Sequence, residues 1–232
     1  MKADLDPFAR MAGLIPGPAV KIVDGGANKG RTVEKFLGLY PQAEIWAFEP
    51  IPELARKLSK RFACRQAVHV RQAALGAVPA TLTLNVLQSR TCSSLLAPAA
   101  IREKHAGKPM DVTQRPAVEV VRLDQELSSP PDIIKLDLQG YELEALTGAD
   151  GLIGGVAAVL TEVAFKTLYQ GQPLAQEVRA WLESRGFVLE GLYGAWLDSE
   201  DRLVSGDALF VRRLAAGPGA PEPSRWHVPQ PE

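Results

Sequence analysis

Val20-Lys21-Ile22-Val23-Asp24-Gly25-Gly26-Ala27-Asn28-Lys29-Gly30 is the stretch on which the reading of the fold turns. A short apolar run leads straight into a glycine-rich turn, the pattern of a strand buried on both faces of a parallel sheet. Behind the turn, Val33, Phe36, Leu37 and Tyr40 fall at i, i+3, i+4 and i+7, which predicts an amphipathic helix over Thr32–Tyr40. Pro41 stops it. Strand, glycine turn and helix together announce an α/β protein.

Outward from this unit the alternation continues. Glu44–Glu49 reads as a second strand ended by Pro50, and Leu54, Leu58 and Phe62 place one apolar face on a helix over residues 52–62. Val68–Ala74 reads as a third strand. Thr81–Leu87 alternates strictly, as a half-exposed strand does. Val118–Leu123 and Asp132–Leu138 are further strands, followed by a helix over Tyr141–Ala149 and the apolar strand Val156–Val163. A helix over Leu174–Arg185 precedes two closing strands, Phe187–Leu192 and Ala208–Arg212. Strands alternating with helices imply a parallel sheet with right-handed crossovers. Residues 1–19 form an N-terminal segment and 20–214 the domain proper. Within it, the polar, proline-broken stretch 88–116 is expected to form a lid or acceptor-specificity insertion. Residues 215–232 read as a disordered or loosely draped tail, because five of eighteen prolines fall in its last fifteen residues. Trp226 is the one tail side chain suited to docking.

The turn itself carries chemistry. Its spacing is D-x-G-x-N-x-G, over Asp24, Gly26, Asn28 and Gly30. Glycine here is read as letting backbone approach a ligand without a Cβ clash. An acid entering the loop suits a cationic ligand better than a pyrophosphate. S-adenosylmethionine (SAM) bears a sulfonium and an ammonium, and Asp24 is placed to bond the latter directly or through water. Glu49, 25 residues on, ends the second strand, where a carboxylate can accept both ribose hydroxyls. Pro50 keeps it out of the next helix. Gln72, Ala73 and Ala74 end the third strand, where an amide and small side chains can flank adenine.

Those motifs, read in order, are VDGGANKG (23–30), AFEP (47–50), QAALG (72–76), SSL (93–95), IIKLDLQGYELEALTGA (133–149), LTEV (160–163) and LYQGQ (168–172). Together they closely resemble the FkbM family of SAM-dependent methyltransferases, over about residues 20–213. IKLDLQGYE is the most specific string. The resemblance implies a class I, Rossmann-like methyltransferase: a seven-stranded, mostly parallel sheet with helices on both faces and the last strand antiparallel. It also implies O-methylation of hydroxyls on sugars, glycolipids or polyketides. Carried over by position, Asp24, Gly26, Asn28 and Gly30 match the SAM loop and Glu49 the ribose-binding acid. Gln72 stands where Asn is frequent. Ser93 and Ser94 match a small polar pair expected near the methionine moiety or the acceptor. Asp137, Gly140 and Glu142 match the acid-x-x-Gly-x-Glu segment, with Gln139 where Glu is also common.

Methyl transfer to a hydroxyl needs a collinear oxygen, carbon and sulfur and a base for the departing proton. Ligands of open parallel sheets lie beyond the carboxyl ends of the strands, so Asp137 and Glu162 are expected to line the crevice. Asp137 is the favoured central residue. Glu162, Glu142 and a lid histidine, His105, are the other catalytic candidates. For Glu142 the competing role is helix capping, and Lys135 is expected to pair with a neighbouring acid. Three acids near one crevice leave room for Mg²⁺. Tyr141 and Tyr169 are candidates to touch an acceptor ring.

Composition narrows the classes. The 232 residues carry 26 basic and 27 acidic side chains, a net charge of −1. That balance argues against a dedicated nucleic-acid binder and fits a small polar hydroxyl acceptor. No long apolar run or signal-peptide pattern is present, and two cysteines are too few for a disulfide scaffold, so a reducing cytoplasm is expected. The alternatives are an NAD(P)-binding Rossmann oxidoreductase, which the D-x-G-x-N-x-G loop disfavours, and a non-catalytic SAM-binding module.

Overall fold

A computed structural model describes residues 6–17, 20–99, 111–213 and Trp226. In chain order, α1 (Pro7–Leu14), β1 (Lys21–Gly25), α2 (Arg31–Leu39), β2 (Glu44–Phe48), α3 (Pro52–Arg61) and β3 (Val68–Arg71) form the first half. Then come β4 (Ala74–Leu75), β5 (Ala80–Thr83), β6 (Val86–Leu87), β7 (Val112–Gln114), β8 (Ala117–Val121) and the single-turn α4 (Leu123–Glu126). The second half is β9 (Ile133–Leu136), α5 (Glu142–Thr147), β10 (Ala158–Ala164), α6 (Ala175–Glu183), β11 (Phe187–Leu197) and β12 (Leu203–Arg212).

The main sheet has seven strands in the order β11-β12-β10-β9-β1-β2-β3. Pairings among β9, β10, β1, β2 and β3 are parallel, while β12 runs antiparallel to both β10 and β11. The last strand is therefore the one reversed. Successive residues face opposite layers, as the pleat requires. Ile22, Ile45 and Ala47 pack with Phe36 of α2 and Leu58 of α3. Val23 and Phe48 pack on the other face with Leu146 of α5 and Val178 of α6. Reversal of strand order beside β1 opens a crevice at the strands' carboxyl ends, and the glycine loop and Asp137 both sit there.

The elements depart from the sequence reading in four places. Residues 7–14, left within an N-terminal segment, form a helix capped by Asp6, and its Phe8 packs edge-on to Phe36 with ring centroids 5.2 Å apart. The third strand stops at Arg71, because Ala74–Leu75 peels away to pair with Val120–Val121 in a separate three-stranded sheet. The alternating Thr81–Leu87 run breaks in two: Ala80–Thr83 is exposed throughout, then Leu84 turns inward and β6 pairs with β7. Finally, β11 and β12 form a hairpin of 11 and 10 residues, far longer than predicted. Gly191, Gly194 and Gly206 sit in or beside strand irregularities where a bulged ladder accommodates glycine. Trp226 packs edge-on to Phe165, ring centroids 5.1 Å apart. Among the described residues no helix is long and apolar enough to cross a membrane.

Candidate functional site

At one end of the crevice, main-chain donors hold the polar groups. The backbone N–H groups of Gly26 and Ala27 both donate to the Phe48 carbonyl at 3.0 Å, which ties the loop after β1 to the end of β2. This sets Asn28, in left-handed backbone at φ 49°, to donate its N–H to Glu49 Oε2 at 2.8 Å. Ile51 N–H donates to Glu49 Oε1, also at 2.8 Å. Glu49 is buried, and burial pushes its carboxyl up to about 7 despite those two donors. A carboxylate with one donor per oxygen keeps lone pairs for further ones, so it fits a ligand bearing vicinal hydroxyls.

The glycines also meet a need inside the protein. A Cβ on Gly26, φ 77°, would meet the Asp137 carbonyl oxygen at 2.1 Å. One on Gly30, φ 79°, would meet side-chain atoms of Leu58 and Phe62 at 2.6 and 2.7 Å. Both residues allow the loop to approach the protein's own neighbouring elements.

Asp24 is wholly buried beneath the loop and does not line the cavity. Lys135 Nζ lies 3.3 Å from Asp24 Oδ1 and 3.9 Å from Asp137 Oδ2. Burial works against the ammonium, and the two carboxylates outweigh it, so Lys135 is held above its ordinary value. Burial raises Asp24, with Lys135 opposing it incompletely. The lysine expected to pair with an acid thus does so, and Lys135 forms part of the cavity wall.

The other end is a network of side chains around Gln139. Its Nε2 donates to Asp137 Oδ1 and to Glu162 Oε2, each at 2.7 Å. Tyr169 Oη, 2.8 Å from Gln139 Oε1 and 2.9 Å from the Cys92 carbonyl, is buried under the loop. Ser94 Oγ donates to the Gln139 carbonyl at 2.8 Å. Glu142 Oε1 accepts Leu138 N–H at 2.8 Å and Gly140 N–H at 3.2 Å, bracing the turn from below. Burial, reinforced by the nearby Glu162 charge, pushes Glu142 up to about 7.

Two cavities meet here. The first, of about 240 Å³, runs from Glu49 and Pro50 past Ala73, Ala74, Lys135 and Ser94 to Asp137 and Gln139. The second, of about 300 Å³, is walled by Asp137, Gln139, Glu162, Trp196, Ser205 and Asp207, the last three from the β11–β12 hairpin. Asp137 and Gln139 belong to both.

Of the residues singled out in the sequence, Gly26, Asn28, Glu49, Pro50, Ala73, Ala74, Ser94 and Asp137 line the first cavity, and Glu162 the second. Gln72 is exposed and lines neither, because the chain turns from β3 to β4 at this point. Glu142 lines neither cavity, and Tyr169 is spent on the Gln139 network instead of an open wall. His105 lies outside the described residues. Within the predicted insertion, the turn at Arg90–Cys92 puts Arg90 and Thr91 on the cavity wall. The donor set does not fit a metal ion: among the described residues no group of three or more His, Cys, Asp or Glu side chains is placed to hold one. Asp137 and Glu162 are bridged by an amide nitrogen, which is not a ligand. Sequence reading missed Gln139 as a junction and the hairpin wall altogether. The signal for Gln139 was its place between two motif acids; for Trp196 and Asp207 nothing local points inward.

Comparison with known proteins bears on the family and the fold. Residues 24–189 match the model of the Methyltransferase FkbM domain. The chain is 27% identical over 210 residues to Methyltransferase sdnD of Sordaria araneosa, covering 79% of this chain and 80% of that protein. It is 25% identical over 181 residues to 2-O-methyltransferase NoeI of Sinorhizobium fredii, covering 73% and 74%. The solved methyltransferase FkbM of Methylobacillus flagellatus KT shares the fold, with a TM-score of 0.56 at 18% identity over 86% of this chain. The chain spans only 45% of that protein's length.

Proposed function

The chain belongs to the FkbM methyltransferase family, and from that premise we propose that it is a SAM-dependent O-methyltransferase. Its acceptor is a hydroxyl on a small polar molecule, such as a sugar, a glycolipid or a polyketide-like compound. The observation that carries this reading is the pair of cavities meeting at Asp137, one of them ending on the buried carboxylate of Glu49. The name of the relative NoeI, a 2-O-methyltransferase, supports oxygen as the atom methylated.

SAM, when bound, supplies an electrophilic methyl carbon on a sulfonium sulfur. The chain's residues do the rest. Glu49 accepts the ribose hydroxyls, while Ala73 and Ala74 leave a flat space for a base. Lys135, held by Asp24, offers donors to a carboxylate, and Asp137 balances the cationic part of the ligand. An acceptor in the second cavity places its hydroxyl at the wall shared by the two. There Asp137, with Glu162 beside it, takes the hydroxyl proton as the oxygen attacks. Positioning of donor and acceptor supplies much of the acceleration in such a displacement.

The test is calorimetric titration with SAM and, separately, with NADH, followed by transfer of isotope-labelled methyl from SAM to a panel of hydroxylated acceptors. SAM binding with labelled product is the expected result. Binding of NADH in place of SAM overturns the reading in favour of an oxidoreductase. SAM binding with no product on any acceptor, and no SAM hydrolysis, overturns it in favour of a non-catalytic module.

A further inference from the structure

Gln139 has no task in the reaction as derived so far, yet no other side chain described is held as tightly by groups of the site. It is buried, 7% exposed, and stands in left-handed backbone at φ 57°, which side chains other than glycine, asparagine and aspartate seldom adopt. Such a conformation persists where the surroundings over-determine it, and it recurs at functional sites. The surroundings here are Ser94 Oγ on its carbonyl, the Tyr169 hydroxyl on its Oε1, and two carboxylates on its Nε2.

The network also fixes which way the amide points. Asp137 and Glu162 need donors, and only the nitrogen end of the amide supplies them. With Nε2 toward the acids, Oε1 faces the Tyr169 hydroxyl, which is a donor. The reverse placement would set an oxygen against two carboxylate oxygens. Both N–H bonds are used, one on each acid.

We propose that Gln139 is a positioning residue for methyl transfer: its amide clamps Asp137 and Glu162 in one geometry at the wall shared by the two cavities. The inference rests on the function proposed above. Two carboxylates drawn to one point repel, and the bridging group decides what they can do. A lysine there would offset one of the two negative charges and weaken the pair as a base. A glutamate would force the three acids to share a proton, leaving fewer acceptors for the incoming hydroxyl. A neutral amide with two hydrogens on one atom bridges both and neutralises neither. Asparagine has the chemistry, but with one methylene fewer it does not reach both acids from the same backbone.

Two variants test this. Gln139→Met keeps length and removes the donors; Gln139→Asn suits left-handed backbone and shortens the reach, so it preserves the turn if methionine does not. In both, kcat is expected to fall at least about tenfold while the SAM dissociation constant and the acceptor KM stay within about threefold. In a Glu162→Gln background the Gln139→Met effect is expected to shrink, leaving the double variant within about threefold of the weaker single one, because the clamp acts through the acids. A readout independent of turnover is the Gln139 side-chain amide pair in a ¹⁵N–¹H spectrum, assigned by its loss in Gln139→Met. Both protons should exchange slowly, and Asp137→Asn and Glu162→Gln should each shift one of them. Unchanged kcat in both variants, fully multiplicative losses in the double variant, or SAM affinity falling in step with kcat overturns the proposal while leaving the methyltransferase reading intact. Intact amide resonances in a wild-type protein that transfers no methyl overturn the reading above, and the clamp is then a brace with no catalytic task.

Discussion

The two ends of the crevice are built in opposite ways. Around Glu49 the contacts come from backbone: the N–H groups of Asn28 and Ile51, 21 and 2 residues away along the chain, hold the carboxylate, and Gly26 and Ala27 bond the Phe48 carbonyl. Around Gln139 the contacts are mostly between side chains, and their partners stand 23, 30 and 45 residues away at Glu162, Tyr169 and Ser94. Backbone donors on a strand end and a helix-entry loop are placed by the secondary structure itself and tolerate changes of side chain. A side-chain network is placed by packing, and loses its geometry when one member changes. The end proposed to hold the nucleoside is thus a fixture of the fold, and the end proposed to take the acceptor is the one that a change of side chain can reshape.

Breaking the side-chain end should have the largest effect. Asp137→Asn is expected to lower kcat by about 10²–10⁴, the usual range for loss of a general base, and to weaken SAM binding as well, because the same carboxylate is proposed to balance the cationic part of SAM. Pre-steady-state methyl transfer separates the two; an intact burst moves the base to Glu162.

Gly26 joins the two ends, since its missing Cβ is what lets the Asp137 carbonyl approach. Gly26→Ala places a side chain at φ 77° against that oxygen and is expected to cost about 1–3 kcal/mol, seen as a fall of several degrees in Tm. It should weaken SAM binding and turnover together. An unchanged Tm would show that the loop can move away from β9.

Glu49→Ala should act on the donor only. SAM affinity is expected to drop about tenfold or more by calorimetry, roughly 1.4 kcal/mol, with the fold and kcat at saturating SAM retained. Unchanged affinity would remove the ribose assignment. The smallest effect is the pH dependence of the same contact. Glu49 titrates at about 7 in the free protein, so it is an acceptor above that value and protonated below it. SAM affinity should therefore decline as pH falls from 8 to 6, and Glu49→Gln should flatten the curve. For stability the sign reverses. Burial favours the protonated form, so the Glu49 contribution is fullest below about 4.5 and is lost as pH rises toward 7.

Sequence by itself determined the alternation of strands and helices, the glycine loop, Glu49 at the end of β2 and Asp137 at the end of β9. Each depends on local rules: period, turn chemistry and the place of a polar residue after an apolar run. It also carried the family through IKLDLQGYE. What only the tertiary structure decided were contacts between segments distant in the chain. Lys135, read as a structural cation, stands on the cavity wall because Asp24 of the neighbouring strand holds it there. Gln72 left the site because Ala74–Leu75 pairs with β8 instead of continuing β3. The two closing strands extend to Leu197 and back to Leu203, a hairpin long enough to wall a second cavity. The glycines of the loop make room for Asp137, Leu58 and Phe62, a purpose no spacing reveals. The physical reason is the same in each case: a residue's local conformational preference is written in its neighbours along the chain, whereas what its side chain touches is settled by which strands pair and how they pack.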